Sequence, residues 1–539
     1  MKISLPSLLL AFIMLALVSC KQPKADFRSI SPEVLKDKIA GGWAGKIIGV
    51  TYGAPTEFKA RNSIFTDSIH WSPSDCWHSM WQDDIYVQLT FLMTMDKYGV
   101  DAPAKKFHEM FAKAGYQLWH ANMQARKNYY DSIFPPASGS PEYSMHSDDI
   151  DFQIEADYLG FMCPGMPNTA AQMADKIGRI MNYGDGIYGG IFVAALYSEA
   201  YFESDIQKII EKALLSIPAE SDYYKIVRDV IKLYRHYPSD WQGAWKDLDD
   251  KWGSVDICGA GSSFNIDAKL NGAYIVMGLL YGAGDPLKTL EISTRCGQDS
   301  DCNPSNAMAV LGVIKGFSGL PDDMQKGIKA SADSIFVHTG YNYNTAVGST
   351  FNYALNLIAA NGGDTTGNEI KIKSQESVAP KAEDSYPNVV FDKSVSIFDD
   401  KEWAFKGNWT VYERPSWPDN KLVKQSLYAE NAGDEIEISF HGTGIALEGN
   451  WVKDGGKADI FVDGTLHRSI DTYYFFANQE HTTPIWHVLN LQDGNHTVKL
   501  VVKAEKRPES EGTRVYLTRA LIFKSAQKKN QSFKFTFEK

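Results

Sequence analysis

The sequence runs to 539 residues, 44% of them hydrophobic, with a formal net charge of -12. That length suits roughly two to four domains with substantial cores. The acidic balance excludes a surface that tracks nucleic-acid phosphates, which needs clustered Lys and Arg. It leaves a small-molecule or glycan substrate as the partner.

Residues 1–20 read as a targeting segment. Lys2 supplies a basic start, and Leu8 to Val18 is an apolar run too short to span a bilayer. The run ends Leu17-Val-Ser-Cys20, which resembles a bacterial lipobox. The expectation is an exported lipoprotein, lipidated at Cys20 and membrane-anchored, periplasmic or at the cell surface. A plain secretory signal is the alternative. Residues 21–30 are polar and read as a tether. The other cysteines are Cys76, Cys163, Cys258, Cys296 and Cys302, an odd set with no zinc spacing. Cys296 and Cys302 either pair or are small buried residues.

From Ser31 the periodicity is helical. Ser31-Pro-Glu is a good helix start, and Leu35, Ile39 and Trp43 keep helical spacing. Gly41, Gly42, Gly45 and Gly49 are costly in a helix and imply a close packing partner. Glu57 follows the helix and a turn. An aromatic loop with Trp71, Trp77, His78 and Trp81 leads to Gln82-Asp83-Asp84 and an apolar helix over 85–95. Negative charge is favoured at a helix N-terminus by about 0.3–1 kcal/mol per group, but adjacent carboxylates repel and a cation relieves them. Residues 146–157 form a second acid-dense patch containing Asp149 and Asp151. Its bland reading is a helix start rich in favourable acids. Helices are expected over 169–181, 189–201, 205–214, 221–236, 267–281, 286–292, 321–332 and 345–360. The Gly-rich loop Asn182-Tyr-Gly-Asp185-Gly-Ile-Tyr188 lies between the first two.

The most oxygen-rich loop is Gly297-Gln-Asp299-Ser-Asp301-Cys302-Asn-Pro304, which opens another apolar helix. One oxygen suffices for an N-cap; this loop offers Gln298, Asp299, Ser300, Asp301 and Asn303. The excess reads as metal or substrate chemistry, with capping as the alternative. Residues 31–361 are one all-α domain. Residues 362–386 are polar and linker-like. From 387 to 525 the period becomes two, as in Glu435 to Phe440 and Thr497 to Val502, with Asp-Gly turns. That pattern predicts a jelly-roll β-sandwich. Residues 526–539 are a basic tail.

Glu57, Gln82, Asp83, Asp84, Asp299 and Asp301 all lie at helix starts or flanking turns. Converged, such an oxygen-only set suits Mg²⁺, Mn²⁺ or Ca²⁺. Four pieces in order resemble the ADP-ribosylglycohydrolase family. They are Gly41 to Phe58, Gln82-Asp83-Asp84 for the family's Thr-Asp-Asp, Asn182 to Tyr201, and Gly297-Gln-Asp-Ser-Asp-Cys-Asn303 for its Gly-x-Asp-x-Asp. The resemblance implies an all-α hydrolase binding Mg²⁺ or Mn²⁺, as two ions. It implies metal ligation by Asp83, Asp84, Asp299 and Asp301, with Gln82 and Cys302 beside them. It implies Glu57 and Asp299 as catalytic carboxylates and Asp185 and Tyr188 near the substrate. Asp149 and Asp151 are added as substrate-binding candidates. Gln82 and Cys302 stand where many members carry Thr, and Gly49-Val50 stands where Gly-Asp is common.

The resemblance implies hydrolysis of an ADP-ribosyl or related glycosidic bond. The sandwich resembles galactose-binding-like or carbohydrate-binding modules through Gly442-Thr-Gly-Ile, Gly455-Gly-Lys-Ala and Val462-Asp-Gly-Thr. Trp451, Tyr473, Tyr474, Phe475 and Trp486 could stack on sugars or pack the sandwich. A glycosidase acting on an extracytoplasmic glycan is one alternative function. A non-catalytic surface glycan-binding lipoprotein is the other.

Overall fold

The computed structural model describes residues 26–253, 256–399, 401–416, 420–476 and 482–526. The expected targeting segment, with the expected lipidation site at Cys20, and the basic tail past 526 lie outside the described residues.

The helical part is built on one helix pair. Helix Pro32–Gly53 starts at Ser31, whose hydroxyl accepts the Val34 N–H at 3.2 Å. Gly41, Gly45, Gly49 and Gly53 fall on one stripe, four residues apart. A Cβ on any of them would strike the backbone of a partner segment: Gly312, Met308, Pro304 with Ser305, and Ser300 with Asp301 in turn. That partner is helix Cys302–Lys315 and the loop before it, running antiparallel. The glycines therefore trade helix propensity for backbone contact. The stripe also sets Glu57, four residues past Gly53, beside the Asp299–Asp301 loop.

Most expected helices form within a few residues of their expected bounds, among them Asp222–His236, Ala268–Gly282 and Tyr343–Ala360. Helix Trp241–Trp252 was not foreseen, and the aromatic loop is in fact a 3₁₀ stretch, Pro73–Trp81. Asp185 is not in a loop but opens helix Asp185–Ala200, because the Gly-rich run is buried and its helix continues through it.

The described end of the tether, residues 26–30, and the linker are more ordered than their composition suggests. β1 (Phe27–Ile30) pairs antiparallel with β2 (Ile370–Lys373), with Ile30 opposite Ile370. Ile370 and Ile372 are buried on one face, a period-two signal too short to stand out in a polar stretch. The following segment straps the helical domain. Gln375 Oε1 accepts the Thr169 N–H at 3.0 Å, and Glu383 pairs with Arg179 at 2.9 Å.

The C-terminal region is all-β with antiparallel sheets. Its strands are β3 (Val389–Ser396), β4 (Trp403–Lys406), β5 (Thr410–Pro415), β6 (Leu422–Ala429), β7 (Glu435–Gly442), β8 (Gly444–Asn450), β9 (Lys457–Val462), β10 (Thr465–Asp471), β11 (Thr482–Val488), β12 (Gly494–Val502) and β13 (Val515–Ser525). One sheet runs β10-β9-β12-β7-β4 and the other β11-β8-β13-β6-β5, with β3 also pairing β13. In β7 the isoleucines are buried while the glutamates reach outward, as a half-buried strand requires. The Asp463-Gly464 turn between β9 and β10 has positive φ at both residues, 49° and 78°, the geometry a two-residue hairpin favours.

The sandwich is docked on the helical domain. Arg507 bridges Asp131 of the helical domain, at 2.6 Å, and Asp471 of β10, at 2.8 Å. His487 Nε2 lies 2.6 Å from the Pro141 carbonyl oxygen.

Candidate active site and metal centre

Two helix starts carry the acids. Asp83 opens helix Asp83–Tyr98, and Asp301 precedes helix Cys302–Lys315. The capping alternative can be judged directly. Asp267 and Asp285 occupy the equivalent position before their helices and do cap, accepting from Leu270 N at 2.8 Å and Lys288 N at 2.9 Å. Asp301 makes no such bond, and its buried Oδ1 has no hydrogen-bond partner among the described residues. A buried carboxylate oxygen left idle is costly, so its partner is to be sought among ligands.

The loop before it is fixed by its neighbours. Gly297 and Gln298 both take positive φ, 83° and 54°. Gln298 N donates to the Ala60 oxygen at 2.8 Å, and Phe58 N donates to the Gln298 oxygen at 3.0 Å. The Gln298 carboxamide accepts from Asn265 N and donates to Asn62 and Ser263. The Ser300 hydroxyl meets the Thr56 hydroxyl at 2.8 Å, and Asn303 donates to Asn271 at 3.0 Å. Of the five oxygen-bearing side chains, these three hold the loop. Asp299 and Asp301 face the cleft.

Glu57, Asp299 and Asp301 each offer one oxygen within 4.8 Å of the others; Asp84, Asp301 and Cys302 form a second such group. Asp301 belongs to both. Asp84 is held from behind: Lys46 Nζ bonds its Oδ1 at 2.9 Å and the Cys302 thiol donates to its Oδ2 at 3.0 Å. Lys46 is fully buried and also pairs with Asp157 at 3.1 Å. Burial pulls its ammonium toward neutrality, but Asp157 and Asp84 outweigh that and keep it charged.

The remaining acids have no ion pair of their own among the described residues, and Lys46 only partly offsets Asp83. Burial, then the neighbouring Asp84, pushes Asp83 up to about 6. Burial chiefly, with Glu57 and Asp84, pushes Asp299 up to about 8, and burial with Asp299 drives Asp301 well above the usual range. Glu57, exposed at the mouth, is driven upward by lost hydration of its carboxyl and then by Asp301, Asp83 and Asp84. Burial keeps Cys302 a thiol. Clustered carboxylates with an idle oxygen fit a hard divalent cation, which would replace the missing positive charge. The residues present thus fit Mg²⁺ or Mn²⁺.

Glu57, Asp299 and Asp301 line a cleft of about 660 Å³. Gln82, Asp83, Asp151 and Cys302 line it too. Asp151 Oδ1 accepts the Asn122 N–H at 2.9 Å, and its buried Oδ2 is free of partners among the described residues. Ile150, Ile154, Ile266, Phe58 and Phe264 form an apolar floor, and Trp81 and Trp119 stand exposed at the rim.

Three expected substrate residues lie elsewhere. Asp185 faces away from the cleft lining and accepts the Tyr223 N–H at 3.1 Å. Tyr188 accepts the Glu383 N–H at 2.7 Å, so its hydroxyl holds the strap. Asp149 sits behind His146, bonded to its Nδ1 at 2.7 Å. A Gly-rich loop with Asp and Tyr suits a sugar site, but here the helix axis turns both side chains away. Sequence reading also missed Lys46, whose signal was the single charged residue in the apolar, glycine-rich stretch 39–53 of its helix.

A family model described as ADP-ribosylglycohydrolase matches residues 31–344. The chain belongs to the ADP-ribosylglycohydrolase family. Membership supports a glycosidase-like hydrolase. A curated relative, an A type blood alpha-D-galactosamine galactosaminidase of Flavonifractor plautii, is 28% identical over 102 residues, which is 19% of this chain and 9% of that protein. The chain thus spans under a tenth of that relative's length. A solved ADP-ribosylglycohydrolase-related protein complex covers 60% of this chain and 98% of its own at 14% identity, TM-score 0.43. A carbohydrate-binding module, CBM36, in complex with calcium and xylotriose covers 24% of this chain and 99% of its own at 15% identity, TM-score 0.16. All five described cysteines are free, so Cys296 and Cys302 are the small buried residues of the second alternative.

Proposed function

We propose that this chain hydrolyses the glycosidic bond of an uncharged sugar, with a divalent cation held by Glu57, Asp83, Asp84, Asp299 and Asp301. The observation that carries it is Asp301: a helix-start carboxylate that does not cap its helix and points an idle oxygen into an acid cluster. When bound, the cation would supply Lewis acidity and orient sugar hydroxyls.

The chain's own groups supply the rest. Glu57, at the solvent side of the cluster, is placed to take a proton from an attacking water, with Asp299 as the second candidate base. Asp151, lining the same cleft, is held well above the usual carboxylate range by burial and then by Asp149, so its carboxyl keeps a proton and its unpartnered Oδ2 is placed to hydrogen-bond a sugar hydroxyl. Trp81 and Trp119 at the rim offer faces for a sugar ring. The apolar floor excludes water below it.

The choice of an uncharged sugar rests on charge. Arg519 is the one Lys or Arg among the described lining residues, and Glu448 already pairs with it. Beyond the proposed cation, a pyrophosphate would meet the acidic groups of Glu57, Asp83, Asp151, Asp299 and Asp301 with only the already paired Arg519 to offset them. Family membership favours the second reading, an ADP-ribosyl bond. Incubating the full chain with Mg²⁺ and either a panel of neutral glycans or an ADP-ribosylated peptide decides between them. Sugar release from the glycans alone supports the first; ADP-ribose release alone overturns it for the second. Glycan binding without any hydrolysis would support the non-catalytic reading instead.

The Leu17-Val-Ser-Cys20 run supports export and anchoring through Cys20. Incorporation of a labelled fatty acid in cells, lost in Cys20→Ala, is the expected result.

A further inference from the structure

A second group of donors, three of them in the cleft wall and one behind it, differs in chemistry from the oxygen cluster. His120, His146, Asp149 and Cys258 each offer one donor atom, and the four lie within 4.8 Å of one another. They come from three separate segments: the start of helix His120–Tyr130, the turn before helix Asp151–Glu155, and the loop before helix Ala268–Gly282. His146 Nδ1 is 2.7 Å from Asp149 Oδ2 and 2.9 Å from Cys258 Sγ. His120 Nδ1 lies 3.8 Å from the same Asp149 oxygen.

A Cys-His-Asp proton relay does not account for this. A relay needs the thiol on one ring nitrogen and the carboxylate on the other. Here sulfur and carboxylate oxygen both approach Nδ1, so no proton path runs through the ring. Three unlike donors converging on one point is the geometry of a coordination sphere. Asp149 is fully buried, and its Oδ1 has no partner among the described residues. His146 is buried too, and burial lowers its pKa to about 4, leaving a neutral imidazole with a lone pair to give. A tetrahedral ion with bonds of about 2.0–2.3 Å has donor-to-donor edges of about 3.3–3.7 Å, so modest opening of the present contacts would admit one.

We propose that His146, Asp149 and Cys258, closed by His120, form a site for a borderline-soft divalent cation of the Zn²⁺ class. Two imidazoles, a thiolate and a carboxylate select such an ion over Mg²⁺. It ties the 258 loop, which carries the Phe264 floor of the cleft, to the segment bearing Asp151. His120 takes a positive φ of 44°, uncommon for a residue with a side chain, whose cost ligation would help to offset. The site is separate from the oxygen cluster and does not depend on the glycosidase reading.

The test is to strip the full chain with chelator and titrate it with Co²⁺ in excess Mg²⁺. The expected result is a thiolate-to-cobalt charge-transfer band in the near ultraviolet, saturating at one ion per chain and bleached by Zn²⁺. The band should vanish in Cys258→Ser and persist in Asp301→Ala. Cys302→Ser guards against a Cys258 variant that fails to fold: the band should survive it. Absence of a thiolate band in the parent chain overturns the proposal. So does a band lost in Cys302→Ser or Asp301→Ala, which would move the cobalt to the oxygen cluster.

Discussion

At the scale of single residues, Lys46 and Asp301 have opposite bonding. Lys46 is fully satisfied: Asp84, Asp157 and the Ile154 carbonyl oxygen take its three protons. Lys46→Met would leave two buried carboxylates without their counter-charge, at a cost of roughly 3–5 kcal/mol. Urea unfolding of the two proteins measures it. Asp301 is the unsatisfied one, and its cluster makes stability depend on pH. Asp83 rises from an ordinary 3.8 to about 6 and Asp299 from 3.8 to about 8. Groups raised in the folded state hold protons that the unfolded chain has lost, so folding is favoured below pH 4 and loses that support as pH rises toward 8. In chelator, the melting temperature should therefore fall across that window. Mg²⁺ should restore it, and more at pH 8 than at pH 5. An Mg²⁺ effect that shrinks with rising pH would contradict this.

At the scale of elements, the glycine stripe makes the site possible. Helix Pro32–Gly53 approaches helix Cys302–Lys315 at backbone contact, and the chain leaves the stripe at Glu57. Gly49→Ala would press a methyl into Pro304 and Ser305. We expect about 1–3 kcal/mol of destabilisation and a larger proportional loss of hydrolysis, since Glu57 moves with the helix. Gly348→Ala is the control. It lies in helix Tyr343–Ala360 with open space around it, and should be stabilising by roughly 0.5–1 kcal/mol. The stripe was legible in the sequence as a cost that needed a reason, and Asp83, Asp299 and Asp301 as an excess of oxygens at helix starts. What the sequence could not give was direction. Asp185 and Tyr188 stood in a plausible sugar-binding loop, yet the helix beginning at Asp185 turns them toward Tyr223 and Glu383. Gln298 is one of the surplus oxygens of its loop in sequence and a brace in the fold, because only the fold brings Asn62, Ser263 and Asn265 around it.

At the scale of the molecule, the sandwich is part of the cleft. β8, β11 and β13 contribute Glu448, Thr482, Thr483, Pro484 and Arg519 to its wall. The sequence announced two domains by its change of period, but not their joint cavity, because the contributing residues lie more than a hundred positions from the acids. The aromatic set divides likewise: Trp451, Tyr474 and Trp486 are buried in packing, and Trp486 donates to His467 Nδ1 at 3.1 Å. Thr482, exposed at the start of β11, is a place to test the shared wall. Thr482→Trp should raise KM for long glycans more than for a monosaccharide glycoside, with kcat on the small substrate unchanged. Equal effects on both would separate the sandwich from substrate choice. The central claim, that hydrolysis runs through a cation held by the Glu57, Asp83, Asp84, Asp299 and Asp301 cluster, is tested most directly by one titration. The rate of sugar release by the chelator-stripped full chain is followed as Mg²⁺ is added back, in the parent and in Asp301→Ala. The rate should be near zero without Mg²⁺, rise to saturation in the parent, and stay near zero in the variant. Full hydrolysis in excess chelator, or an unchanged titration in Asp301→Ala, would contradict the account.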